Sequence, residues 1–231
     1  MDNEIIAIHQ PNFLPWLGYF YKIQKADLFV ILDNVQYTKN SICNRNKIKN
    51  QQGEAAWLTV PVLTSKGLEQ NFNAIEIDYK QKWQKKIVRT LEQTYKKTPY
   101  FDLYFDELRE ILEKSHSSLA ELNIELIRYI NSKLEIDTPI HIASEIDKEF
   151  GAKTDLVIGI CKHFGMKNYV SGQGAKKYNE PEKFEKEEIN LIYQEFEHPE
   201  YPQLKDPFIS HLSIIDLLFN CGNDSKNYLI K

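Results

Sequence analysis

The chain has 231 residues, 42% of them hydrophobic and 12% aromatic, enough apolar mass to bury a full core and too much for a disordered polypeptide. A formal charge of −4 argues against a general DNA or membrane-surface binder, which carries a basic excess. Cys43, Cys161 and Cys221 are odd in number and lack CxxC spacing, so free thiols in a reducing compartment are expected rather than a disulfide frame or a zinc site.

From the N-terminus, Glu4 to His9 reads as a buried strand, rich in isoleucine and stopped by Pro11. Pro15 suits the first turn of a helix whose Trp16, Leu17, Phe20 and Ile23 recur at helical spacing, with Trp16 expected to anchor it in the core. "LFVIL" is a second strand, and strand, helix and strand make a βαβ unit of the Rossmann-like kind. After Asp33, "CNRNKIKN", "AAWLTVPV" and "AIEID" alternate with turn signals at Gln51-Gln52-Gly53 and Ser65-Lys66-Gly67, the pattern of an antiparallel meander. A helical insert over about 81–134 carries three periodic segments, with Pro99 dividing the first two and Ser118 placed to cap the third. "IHIAS", "NYVSG" and "INLIYQEF" are further strands, Thr154 to Phe164 is an amphipathic helix, and Leu212 to Phe219 is a last apolar helix. The polar stretch Gly174 to Glu188 reads as a loop or lid. The expected architecture is α/β, a single domain over 1–231 combining the βαβ unit, a mixed sheet, the meander and the helical segment.

Ligands of such sheets sit at the carboxyl ends of the strands, where His9, Gln10 and Asp33 fall. A strand-end histidine can act as a general base, with the Gln10 and Asn12 amides orienting a substrate beside it; loop closure is their purely structural role. Asp33 can orient a ribose or sugar hydroxyl or a magnesium ion, or cap a helix or turn. The patch Lys39, Asn40, Asn44, Arg45, Asn46, Lys47 and Lys49 can hold a diphosphate through Arg45 and Asn44, or form a solvated strand face. Ser171, Gly172 and Lys176 follow a strand, and glycines there let backbone N–H groups approach an anion, although neither the P-loop nor the GxGxxG spacing is present. His211, in a proline-bearing loop, can close over the site or cap the last helix. His9, Asp33 and His211 have no metal-ligand spacing, so no metal is expected.

The strings "HQPNFLPWLGYFYKI", "LDNVQYTKNSICNRNKI", "WLTVPV", "YVSGQGAKKY" and "YPQL" followed by "PFISHLSIIDLLFNCG" together resemble the WbqC-like family from one end of the chain to the other. The resemblance implies a link to O-antigen and other surface polysaccharides, and a transferase that places glycine on an amino sugar. The turn at Pro15 also looks like that of the HxGH nucleotidylyltransferases, but Trp16-Leu17-Gly18-Tyr19 lacks both histidines that would stabilise a transferring phosphoryl group. The preferred reading is a cytoplasmic enzyme attaching glycine or a related aminoacyl group to a nucleotide-linked amino sugar, with His9 as base. A free carboxylate is a poor electrophile, so an activated glycine donor or ATP is required. The acidic chain favours a small-molecule donor over an aminoacyl-tRNA, which the Arg45-Lys47 patch nonetheless leaves open. The opening residues lack a signal peptide's basic and apolar regions, and no stretch reaches the roughly 18 apolar residues of a membrane span. The sequence leaves the oligomeric state open. The alternative is a non-catalytic sugar-nucleotide-binding or scaffold protein of a polysaccharide assembly pathway.

Overall fold

The computed structural model describes residues 4–229 apart from 40, 64–66 and 68, so Asn40 and the Ser65-Lys66 turn lie outside the described residues. In chain order the elements are β1 (Ile5–His9), α1 (Leu17–Gln24), β2 (Leu28–Ile31), β3 (Arg45–Lys49), β4 (Ala55–Thr59), α2 (Trp83–Tyr95), α3 (Phe101–Glu113) and α4 (Leu119–Lys133). They continue with β5 (Ile140–Ile142), α5 (Lys153–His163), β6 (Asn168–Ser171), α6 (Pro181–Lys186), β7 (Asn190–Tyr193) and α7 (Ile214–Cys221). These build two compact units, each assembled from three chain segments: 1–10, 21–32 and 137–197 in the first, and 11–20, 33–136 and 198–231 in the second.

The first unit is a parallel sheet in the order β5-β2-β1-β6-β7. β1 pairs with β2 from Ile6↔Leu28 to His9↔Ile31, and with β6 from Ile5↔Asn168 to Ala7↔Val170. Ile6, Ala7, Phe29, Val30 and Ile31 are completely buried, the continuous apolar run of a strand covered on both faces rather than the alternation of a half-exposed one. The chain steps outward from β1 through β2 to β5 and then returns to the other side of β1, so the order reverses between β1 and β6. The βαβ unit is as the sequence predicts, but every pairing in this sheet is parallel, where a mixed sheet was expected. The stretch read as a loop also carries α6, whose Pro181 takes the first-turn position that tolerates a missing N–H.

The second unit holds the helical segment and one hairpin. Ser118 accepts a hydrogen bond from the Glu121 N–H at 3.1 Å and so starts α4, as its position before the periodic run predicts. Leu91, Leu112, Leu122, Leu126 and Ile130 put no appreciable surface in solvent. β3 and β4 pair antiparallel from Arg45↔Thr59 to Lys49↔Ala55, and the expected meander stops there. Pro61 ends the ladder, and Phe72–Ala74 closes into a 3-10 turn, so among the described residues "AIEID" keeps the isolated bridge Val62↔Ile77 in place of a strand.

A buried carboxylate organises the end of this unit. Asp216 of α7 accepts hydrogen bonds from Tyr95 OH (2.8 Å), Tyr201 OH (2.9 Å) and Gln203 Nε2 (3.0 Å). Lys49 Nζ donates to Gln203 Oε1 at 3.0 Å and to the Pro207 carbonyl at 2.6 Å. Burial raises the Asp216 pKa above the usual carboxylate value, the four polar partners opposing it. The segment 201–207 is thereby fastened to the hairpin and to α7.

Candidate functional site

In the first unit, β1 and β6 lie side by side at the switch point, and their carboxyl ends bring His9 and Gln10 next to Ser171 and Gly172. The His9 Nδ1–H donates to the Gln10 carbonyl at 2.9 Å, which fixes the tautomer with the Nε2 lone pair as acceptor. Part of the ring is accessible, yet it sits deep enough that burial, helped by the nearby Lys22 charge, lowers its pKa to about 3. His9 is therefore neutral at pH 7 and a weak base.

Lys22 is a functional candidate that the sequence reading passed over. Its side chain is 2% exposed, its Nζ donates to the Ile8 carbonyl at 3.4 Å, and no carboxylate pairs with it among the described residues. Burial lowers its pKa to about 7. The available signal was α1 itself: Leu17, Tyr19, Phe20 and Ile23 make it apolar almost all round, and a lone lysine on such a helix must be buried.

Ser171 is fully buried, its Oγ accepting from Asn179 Nδ2 at 3.1 Å and from Tyr169 OH at 3.4 Å. Lys176 Nζ lies 5.0 Å over the Tyr193 ring. Gly172 has φ −72°, so no backbone strain demands glycine, and a Cβ added at Gly172 or Gly174 meets only open space. What these glycines preserve is room above the strand end. A hollow of about 490 Å³ beside Phe150 and α5 has two of its lysines already paired, Lys162 with Glu187 at 2.6 Å and Lys183 with Asp155 at 3.0 Å, and reads as a solvated face.

The second unit receives Asn12, Asp33, Asn44, Arg45 and His211. Asp33 is 4% exposed and its carbonyl accepts from the Asn73 N–H at 2.7 Å. Strand alternation turns Asn44 and Asn46 inward and Arg45 and Lys47 outward. Asn44 Nδ2 donates to the Val60 carbonyl at 3.0 Å, while Arg45 stacks 4.4 Å over the exposed Trp57 ring, with Lys47 at 5.1 Å. The two residues paired in the sequence reading thus face opposite sides of β3. Burial raises the Cys43 pKa to about 11, so the thiol keeps its proton and is no nucleophile.

Buried amides fix the loop that follows β1. Asn123 Nδ2 donates to the Pro11 and Cys43 carbonyls at 2.9 and 2.7 Å, and Asn46 Nδ2 to the Leu14 carbonyl at 2.7 Å. Leu14 is held at φ 41°, a strained conformation for a branched residue that only such a clamp maintains. Trp16 is half-exposed rather than a core anchor: its ring lies on Gly18, where an added Cβ would overlap it, and stacks 4.9 Å from His211, which is itself 4.9 Å from His198. Ser213, not His211, caps α7. Asn12, Pro15, Trp16, Ile42, Asn46 and His211 line a pocket of about 190 Å³. Among the described residues no three His, Cys, Asp or Glu side chains are grouped to hold a metal ion, and no helix is long and apolar enough to cross a membrane.

The model of the WbqC-like protein family matches residues 10–228. The uncharacterized protein Rv1507c of Mycobacterium tuberculosis is 37% identical over 227 residues, an alignment covering 97% of this chain and 96% of that one. No solved structure matches the chain. With nearly its whole length matched by the family model, the chain belongs to the WbqC-like protein family.

Proposed function

We propose that the protein is a cytoplasmic transferase that attaches glycine or a related aminoacyl group to a nucleotide-linked amino sugar during synthesis of O-antigen or another surface polysaccharide. The observation carrying this reading is the switch point of the parallel sheet, where a neutral strand-end histidine, a buried lysine titrating near pH 7 and an open glycine-bearing turn converge. In the reaction the neutral sugar amine attacks the activated acyl carbon, its proton passes to His9 Nε2, and the donor's leaving group departs with the bonding electron pair. Gln10 orients the amine, and Lys176 faces the phosphates from its seat on Tyr193. Lys22 is a positioning residue: its charge depresses the basicity of His9, and its deprotonation near pH 7 relieves that depression. Asn44 and Arg45 serve the hairpin of the second unit, through Val60 and Trp57. The donor arrives activated or is activated with ATP, and a small molecule suits the acidic chain better than tRNA.

One observation favours the non-catalytic reading: a conjugate acid with a pKa of about 3 makes His9 a poor base. A ligand panel of nucleotides, nucleotide-linked amino sugars and glycine separates the two readings. A ligand at a hundredfold its Kd adds about 2.7 kcal/mol, a melting shift of roughly 5–10 °C for a chain of this size. A shift with sugar nucleotides, together with a glycyl adduct in mass spectrometry that His9→Ala abolishes, supports the transferase. A shift with no product from any activated glycine donor refutes it in favour of the binding protein.

A further inference from the structure

We propose that the outward face of α2 binds the phosphate backbone of a nucleic-acid duplex. Such binding needs no chemistry and is independent of the transferase site in the first unit, since α2 belongs to the second.

The formal charge of −4 averages two opposite parts of the chain. Residues 80–97 hold seven lysines and arginines and a single glutamate, and the remaining residues hold 22 basic against 32 acidic side chains. The fold gathers most of these cations on one stripe. Trp83, Ile87, Val88, Leu91 and Tyr95 turn into the core. At about 100° per residue, Lys82, Lys85, Lys86, Arg89, Lys96 and Lys97 fall within roughly 120° of arc on the opposite side, all six exposed. Among the described residues, Lys96 pairs with Glu92 at 3.6 Å in solvent, and the other five have no carboxylate within salt-bridge distance.

This stripe works against the helix that bears it. Lys82 and Lys86, and likewise Lys85 and Arg89, are like charges four residues apart, and the first turn places cations with no acid at the positive end of the helix dipole. An ordinary solvated face intersperses the two signs. An anion lying along the stripe relieves both repulsions.

The surroundings select the partner. α3, which packs beside α2, exposes Asp102, Asp106, Glu107, Glu110 and Glu113, so the cationic area is a strip bounded by carboxylates and not a plane. A flat anionic membrane would meet those carboxylates, and the apolar residues of α2 that could insert are in the core. An acidic protein would find lysines and one arginine on α2 but no exposed aromatic side chain, and aromatic anchors are what protein interfaces rely on. A phosphate backbone needs only point charges in a line. From Lys82 to Lys97 the stripe runs about 22 Å, and that length of duplex carries about thirteen phosphates, roughly half of them facing the protein, a number close to that of the cations.

The test is fluorescence anisotropy of the full chain with labelled RNA and DNA duplexes of about 20 base pairs, between 50 and 200 mM salt. Six phosphate contacts predict a slope of about −5 in the logarithm of affinity against the logarithm of salt, a loss of about a thousandfold over that range. Lys85→Ala combined with Arg89→Ala should make the slope shallower by about two and weaken binding whatever the base sequence, at an unchanged or raised melting temperature. Lys148→Ala combined with Lys186→Ala removes the same charge from exposed positions of the first unit and should leave affinity and slope as in wild type. The duplex that binds tighter names the helical form recognised, and equal affinity assigns the face to either. The proposal is overturned by no binding of either duplex at 50 mM salt, by a slope shallower than about −2, or by an α2 double variant that binds like wild type. Capture by phosphatidylserine–phosphatidylcholine vesicles, or by polyglutamate, at concentrations where neither duplex binds overturns it as well.

Discussion

Replacing Lys22 by methionine should stabilise the protein, against the usual direction for a buried substitution. Folding moves this ammonium from water, where its pKa is 10.5, to a site where burial lowers it to about 7. At about 1.4 kcal/mol per pKa unit, wild type loses up to about 5 kcal/mol at pH 7 and below by holding Lys22 buried. Methionine fills much the same volume without that penalty, and loses one long hydrogen bond to the Ile8 carbonyl worth about 1 kcal/mol. The net gain is roughly 2–4 kcal/mol, or about 5–15 °C in melting temperature at ~2–4 °C per kcal/mol. Between pH 7 and 10.5 the unfolded chain keeps the lysine proton that the folded chain has released, so wild-type stability rises with pH over that window. Melts followed by circular dichroism at pH 7, 8 and 9 should therefore show the wild-type curve climbing toward a flatter Lys22→Met curve. A variant that melts below wild type at pH 7, or one that retains the full pH slope, would falsify the assignment of an unpaired buried lysine. Under the transferase reading Lys22→Met should also turn over at least as fast as wild type, because the charge that depresses the basicity of His9 is gone, and its rate should lose whatever pH dependence Lys22 imposes near pH 7.

Two further perturbations probe the same physics. His9 titrates at 6.5 when unfolded and at about 3 when folded, so wild type loses stability as pH falls through that window; His9→Gln should remove this component, and melting curves of the two proteins that stay parallel from pH 6.5 to 4 would contradict the burial. Asp216→Ala strands the hydroxyls of Tyr95 and Tyr201 and the Gln203 amide, and should lower stability by roughly 3–5 kcal/mol in urea titration; a loss below about 1 kcal/mol would mean that the hub is not closed in solution.

The elements that the sequence announced are those whose cause is local. Ile5, Ile6 and Ile8 before Pro11, the proline-opened α1 and the apolar "LFVI" identify the βαβ unit, and Ser118 with the periodic run behind it marks α4. The parallel order of the sheet was not legible, because the pairing of Asn168 with Ile5 joins residues on opposite flanks of the large insertion. Nor was the role of "CNRNKIK", which looks like a cationic patch. Asn46 is an internal clamp on Leu14, 32 positions away, and Arg45 belongs to Trp57, so only three-dimensional neighbours reveal the purpose of either. His211 was legible as a member of a proline-bearing loop, but its stacking on Trp16 was not, since a tryptophan at helical spacing reads first as core.

The central position of β1 has a consequence for how the chain is made. One edge of this strand is completed early, when β2 emerges about twenty residues later, but its other partner, β6, starts 163 positions on, from Ile5 to Asn168. Closing a loop of that length costs about 4–5 kcal/mol of chain entropy, met only when the last third of the polypeptide is in hand. Throughout synthesis of the hairpin and the three long helices, a run of isoleucines with open backbone donors and acceptors therefore waits for its neighbour. Such an edge templates association with other chains. The nascent protein thus depends on the speed of elongation past residue 171 and on whatever shields that edge until then, a vulnerability that disappears once β6 is in place.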